Sequence, residues 1–241
     1  MDTPSHVLAW RVYVLQRACG NPRLQAVLME LCRRDPVFWF DMFCWTVDPR
    51  RQPAVVPFVL YPFQRWAVRQ WYGCIEAQQD FGIEKSRDMG VSWLLVLLFQ
   101  YGWLFRPGWH FLLGSRKEAE VDTVVIDPST LFGKLRFNLL HLPVWMRPTA
   151  YRDKKLAMVN EDNGNTLTGE SANAFFGRGQ RQRAILLDEF AFWDYADAVY
   201  GGCSATTNCR IVTSTPYGRH NRFAQLMHDP ANERREPPPT D

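Results

Sequence analysis

The amino-acid sequence predicts an α/β protein with a mainly parallel sheet flanked by helices, preceded by an N-terminal helical segment. Two observations carry that expectation. Short apolar runs alternate with helical stretches from residue 81 onward, and several of those runs end abruptly on polar residues. Strands covered on both faces read as continuous apolar runs, and helices between them supply the crossovers that parallel pairing requires. Composition agrees: 46% hydrophobic residues against 22% charged, with 10 Trp and 16 Phe, is ample to build a core.

From about Val7 to Trp45 the chain shows helical punctuation, with Asn21-Pro22 opening a second helix and Asp35-Pro36 a third. Asp48 to Pro57 contains Pro49, Pro53 and Pro57, which breaks regular structure and marks a boundary, so residues 1–58 form the helical segment. The alternation then runs through Phe81 to Lys85, a helix from Gly90, His110 to Gly114, and a helix containing Lys117 to Val121. Lys155 to Val159, Thr166 to Thr168, Ala184 to Asp188 and Arg210 to Ser214 complete it, giving a core over residues 59–228. Residues 229–241, with Pro237-Pro238-Pro239 and few apolar side chains, read as a flexible tail or linker.

Several classes are excluded or disfavoured. The six cysteines form no CxxC pair and the five histidines no HExxH spacing, so structural zinc is not expected. Without a cationic stretch followed by an apolar one at the start, the thiols read as reduced and cytosolic. Val91 to Phe105 is interrupted by Ser92, Gln100 and Gly102, too short and broken to span a bilayer, and reads as a buried helix. Net charge is +3, so any polyanion argument rests on local clusters: Arg11, Arg17, Arg23, Arg33 and Arg34 near the start, and Arg178, Arg181 and Arg183 later. Solvated faces are the ordinary reading of such clusters.

Three strand ends carry chemistry. Glu84-Lys85-Ser86-Arg87-Asp88-Met89-Gly90-Val91-Ser92-Trp93 follows an apolar strand and opens an apolar helix, the context of a phosphate-binding loop. Gly90 and Ser92 occupy the second glycine and the Mg²⁺-binding hydroxyl of GxxxxGK[ST], while Lys85 stands where the first glycine belongs and Val91 where the lysine belongs. A cation is still needed near the β and γ phosphates, and Lys85 or Arg87 could supply it. Ala184 to Asp188 is an apolar run ending in Asp188-Glu189, 96 residues after Ser92. Hydrolysis of a phosphoanhydride needs one carboxylate for Mg²⁺ and a neighbour to orient the attacking water, here Asp188 and Glu189. Thr213-Ser214-Thr215 ends a third run with hydroxyls able to sense a phosphate or a catalytic water. Upstream, Tyr61 and Gln64 offer a ring and an amide for adenine, although such residues before a helix also pack and cap.

In that order, these elements resemble the large terminase subunit, the DNA-packaging ATPase of tailed bacteriophages. The resemblance rests on Tyr61 to Gln64, Lys85 to Trp93, Gly169 to Asn173, Leu187 to Trp193 and Thr213 to Pro216, with Leu142 to Met146 also similar, and covers roughly residues 40 to 225. It implies a P-loop NTPase of RecA-like, additional-strand catalytic-glutamate type, using ATP and Mg²⁺, with Lys85 as the compensating cation. It further implies a ring of subunits on the portal protein, the small terminase subunit and double-stranded DNA as partners, and the host cytoplasm as its place of work. An arginine offered to the neighbouring subunit's phosphate would come from the loop before Asp188; Arg178 matches best, with Arg181 and Arg183 as candidates. The family's carboxy-terminal nuclease domain lies outside what the resemblance covers. A helicase-like ATPase and a nucleotide-binding assembly module with little turnover remain as alternatives, the latter motivated by Val91 and opposed by Glu189.

Overall fold

The computed structural model describes residues 4–87, 89–123 and 125–229. Three helices open the chain: α1 (Pro4–Ala18), α2 (Pro22–Arg34) and α3 (Pro36–Phe43). Asn21 and Asp35 cap the second and third, accepting hydrogen bonds from the N–H groups of Leu24 (3.1 Å) and Val37 (2.8 Å), with proline at each first helical position. Arg11, grouped by sequence with the surface arginines, is 1% exposed. Its guanidinium donates to the carbonyls of Phe40 (3.0 Å), Asp41 (2.6 Å) and Cys44 (2.6 Å) at the end of α3, where the helix dipole favours a cation.

The proline-rich stretch is not wholly irregular. It is the loop and second strand of a short antiparallel pair, β1 (Trp45–Val47) with β2 (Val55–Pro57). Beyond it lie α4 (Pro62–Ala77), β3 (Phe81–Glu84), α5 (Val91–Phe105), β4 (Phe111–Ser115), α6 (Glu118–Val121) and α7 (Leu131–His141). Then come β5 (Tyr151–Lys154), β6 (Ala157–Asn160), β7 (Thr166–Ser171), β8 (Ala184–Asp188), α8 (Ala196–Cys203), β9 (Arg210–Ser214) and α9 (Arg222–His228). Seven of these strands form one sheet in the order β3-β9-β8-β4-β7-β6-β5. Neighbours from β3 to β7 pair in parallel, and β6 and β5 add an antiparallel edge. The run Lys155 to Val159 therefore belongs to a hairpin, not to the parallel set, because Lys155 and Leu156 form its turn, Leu156 at φ +60°.

Helix α5 is buried on nearly every side, as its predominantly apolar character requires. Its Leu94, Leu97 and Leu98 belong to the same hydrophobic cluster as Leu28 of α2, Phe40 of α3 and Leu135 of α7, so the helical segment shares its core with the sheet domain. Among the described residues no helix is long and apolar enough to cross a membrane. The expected tail lies outside the described residues from position 230 onward.

Candidate active site

Parallel pairing brings the carboxyl ends of β3, β9 and β8 to one edge of the sheet, the place where open α/β sheets bind ligands. The register is direct: Ile83 and Asp188 both pair with Thr213 on the strand between them. Asp188-Glu189 and the loop after β3 therefore arise side by side, although 103 residues separate Lys85 from Asp188.

Lys85 lies at the centre. Its Nζ donates to Ser92 Oγ (2.9 Å) and Asp188 Oδ1 (3.0 Å) and pairs with Glu189 Oε1 (3.1 Å), while Ser92 Oγ lies 3.1 and 3.2 Å from the two Asp188 oxygens. The Lys85 and Asp188 side chains are each 9% exposed; Glu189 keeps 30%. Burial works against the Lys85 ammonium, but the attraction and hydrogen bonds of Asp188 and Glu189 outweigh it and raise its pKa above the usual lysine value.

Val91 is buried and belongs to the hydrophobic core, and Gly90 caps α5 at φ +73°. The cation beside Asp188 at this loop is Lys85, from its strand side. Glu189 is held at φ +54°, ψ +38°, a left-handed conformation costly for a residue with Cβ and concentrated at functional sites. Asp188 is steadied by its own backbone: its carbonyl accepts a hydrogen bond from Trp193 Nε1 at 3.0 Å. The hydroxyls of Thr213 and Ser214 are fully buried and have no partner among the described residues, a costly condition that invites a ligand or water. Ser and Asp oxygens suit Mg²⁺, which is commonly held by one or two carboxylates with phosphates and water. Among the described residues no group of three or more His, Cys, Asp or Glu gathers into an all-protein metal cage.

The other sequence-selected residues divide. A cleft of about 1750 Å³ is lined by Tyr61, Gln64, Lys85, Ser86, Arg87, Met89, Gly90, Val91, Ser92, Trp93, Glu189 and Thr215. Tyr61 is exposed and stacks on Phe63 at 5.9 Å between centroids. Gln64 is nearly buried and ties two elements together: its Oε1 accepts from Tyr61 N (3.0 Å) and its Nε2 donates to Met89 O (3.2 Å), holding the loop after β3 against α4. Asp88 lies outside the described residues. Arg178 stays apart from the Lys85 cluster, resting 5.3 Å above the exposed ring of Phe175 and forming no ion pair with a described residue. Arg181 is exposed as well. Arg183 is committed elsewhere, donating to the carbonyls of Ile75 (3.1 Å) and Glu76 (2.5 Å) at the end of α4. A residue not selected from sequence, Lys134 of α7, also lines the cleft.

Strand order and strand-end chemistry together define a P-loop fold of the additional-strand type, because β9 is interposed between the phosphate-loop strand β3 and the Asp-Glu strand β8. Within that class the chain is similar to the large terminase of bacteriophage HK97. The two share a fold at a TM-score of 0.61 and 14% identity, over 83% of this chain and 41% of the HK97 protein. The ATPase domain of the Thermus phage P74-26 large terminase aligns over 61% of this chain and 62% of its own, at a TM-score of 0.46 and 18% identity. The large terminase of a thermophilic bacteriophage, in complex with ADP, aligns over 68% of this chain and 41% of its own, at 0.48 and 13%. The chain thus spans about two fifths of the HK97 protein's length. No protein-family model matches the sequence, and no curated protein matches it.

Proposed function

We propose that this chain is the ATP-hydrolysing motor domain of a viral large terminase, with residues 59–228 as its ATPase core, driving double-stranded DNA into a procapsid. The observation that carries the reading is the convergence of Lys85, Ser92, Asp188 and Glu189 at one sheet edge, each within 3.2 Å of another. The shared fold with the HK97 large terminase supports the same reading.

Each side chain then has a task. Lys85 offers positive charge to the β and γ phosphates, replacing the lysine that Val91 displaces. Ser92 and Asp188 supply oxygens for Mg²⁺, and Glu189 orients a water and accepts its proton. Mg²⁺ and the triphosphate, when bound, supply charge neutralisation at the reacting phosphoryl group. Tyr61 and Gln64 border the adenine, and the hydroxyls of Thr213, Ser214 and Thr215 register the state of the terminal phosphate. Arg178 reaches a neighbouring subunit within a ring on the portal protein, with the small terminase subunit as a further partner, in the host cytoplasm. DNA is held through its phosphates, since a packaging motor must pass any sequence.

The test is binding and hydrolysis of ATP with Mg²⁺, with and without duplex DNA. Parent protein is expected to bind and turn over ATP, faster with duplex, and Lys85→Ala to lose turnover and most of its affinity. Parent-like affinity and turnover in Lys85→Ala would sink the assignment of this loop. ATP turnover indifferent to duplex DNA in the assembled ring would refute the translocation step.

A further inference from the structure

Lys134 is a buried cation in an unfavourable place. It is 7% exposed and forms no ion pair with a described residue, whereas Lys85, Arg136 and Arg210 all face carboxylates. Its ammonium folds back to the carbonyls of Ser129 (2.8 Å) and Thr130 (3.2 Å), beside the amino end of α7, which Thr130 caps. That end of a helix carries the positive pole of the dipole and repels a cation. Arg11, also deeply buried without an ion pair among the described residues, sits instead at a helix carboxyl end with three carbonyls. An ammonium has three donors, and two of Lys134's are used.

What faces it is the nucleotide cleft. Lys134 lines the same cavity as Ser92, Trp93 and Glu189, with its Nζ 5.6 Å from the centre of the Trp93 ring. Resting on the proposed function, we infer that Lys134 is a second phosphate-binding cation, its free N–H directed to the terminal phosphate of a bound nucleoside triphosphate. The charge balance supports this. Lys85 is already shared by two carboxylates, and a triphosphate together with them carries more negative charge than Lys85 and one Mg²⁺ offset. Burial lowers the Lys134 pKa to about 8, with Asp188 and Asp127 opposing that shift and Lys85 adding to it. An arriving anion would stabilise the ammonium and raise that pKa again.

The inference separates triphosphate from diphosphate. With Mg²⁺, Lys134→Met should weaken binding of the β,γ-imido analogue of ATP at least ~tenfold, as loss of a hydrogen bond to a charged group implies, and leave ADP within about twofold. Equal weakening of both would make Lys134 a structural seal and overturn the inference, as would parent-like affinity for both. Reductive methylation of the unaltered protein does not depend on the variant folding: the analogue should slow modification at Lys134 at least ~tenfold and ADP less than about twofold. Equal protection by the two nucleotides, or by neither, would overturn it as well. Binding of neither nucleotide by the parent would instead remove the ATPase reading, and this inference with it.

Discussion

Two ionic clusters, one around Arg136 of α7 and one around Lys85, each set one cation against two carboxylates, and they differ in how completely the fold satisfies their polar surroundings. Around Arg136 no buried side-chain nitrogen or oxygen of a described residue lacks a partner: Nε donates to Asp153 (2.9 and 3.0 Å) and Nη2 to Asp122 (3.0 Å) and the Lys154 carbonyl (3.2 Å). Asp122 also accepts the Leu156 N–H at 2.6 Å. This network fixes α7 against the β5–β6 hairpin with its buried hydrogen bonds complete. Around Lys85 one cation likewise serves two carboxylates, but beside it lie a strained Glu189 and two orphaned hydroxyls. Polar groups left incomplete by the fold mark the place where something else completes them.

The largest expected effect tests whether the open cluster is also incomplete without a second subunit. Arg178→Ala should retain ATP binding and lose ~10³- to 10⁵-fold in hydrolysis by the assembled ring, the usual worth of a trans-acting arginine. Glu189→Gln should bind ATP and lose at least ~10²-fold as its general base is removed. Mixed rings pair an intact Glu189 with an intact Arg178 at some interfaces, so the mixture should outpace either variant alone. Co-assembly without recovery would reject Arg178, and Arg181 would be tested next. Arg183 is set aside because its guanidinium closes the end of α4.

The closed cluster should answer in stability instead. Arg136→Met strands the fully buried Asp122 and should cost about 3 to 5 kcal/mol by urea unfolding, whereas adding Asp122→Leu should return most of it. A cost for Arg136→Met below ~1 kcal/mol would erase the contrast, since surface ion pairs behave that way.

The same contrast explains what the sequence disclosed. Strands β8 and β9 are bounded at Ala184–Asp188 and Arg210–Ser214 as read, because β8 is an apolar run stopped by carboxylates and β9 a β-branched core running into hydroxyls. Lys85, Asp188 and Glu189 are legible from strand-end position and Ser92 from the loop spacing, and the parallel register brings them together. Helix α7 had no such signature. Leu131 through Leu139 are all buried, including Lys134, Arg136 and Asn138, so no polar face alternates with an apolar one, and these charged residues resemble surface positions. The β5–β6 hairpin was hidden for a related reason: β5 is Tyr-Arg-Asp-Lys, exposed along its length and polar at an edge. Arg11 and Arg183 were misleading as charge clusters because both spend their guanidinium groups on helix carboxyl ends.

The smallest effect isolates the strain at Glu189. Both Glu189→Ala and Glu189→Gly delete the carboxylate, so the ion pair with Lys85 cancels in their difference, and what remains is the backbone. In an ordinary helical position glycine is less stable than alanine by roughly 0.5 to 1 kcal/mol, because its unfolded chain has more freedom to lose. At φ +54° the Cβ of alanine meets the following carbonyl at a cost of about 1 to 2 kcal/mol, which exceeds that entropic term. The order should therefore invert, with Glu189→Gly melting above Glu189→Ala and stability differing by up to ~1 kcal/mol in urea. The alanine variant proving the more stable would mean that the left-handed turn relaxes once the carboxylate is gone. The strain would then be imposed by the pull of Lys85 on Glu189, and not by the path of the chain between β8 and the turn that Phe190 begins.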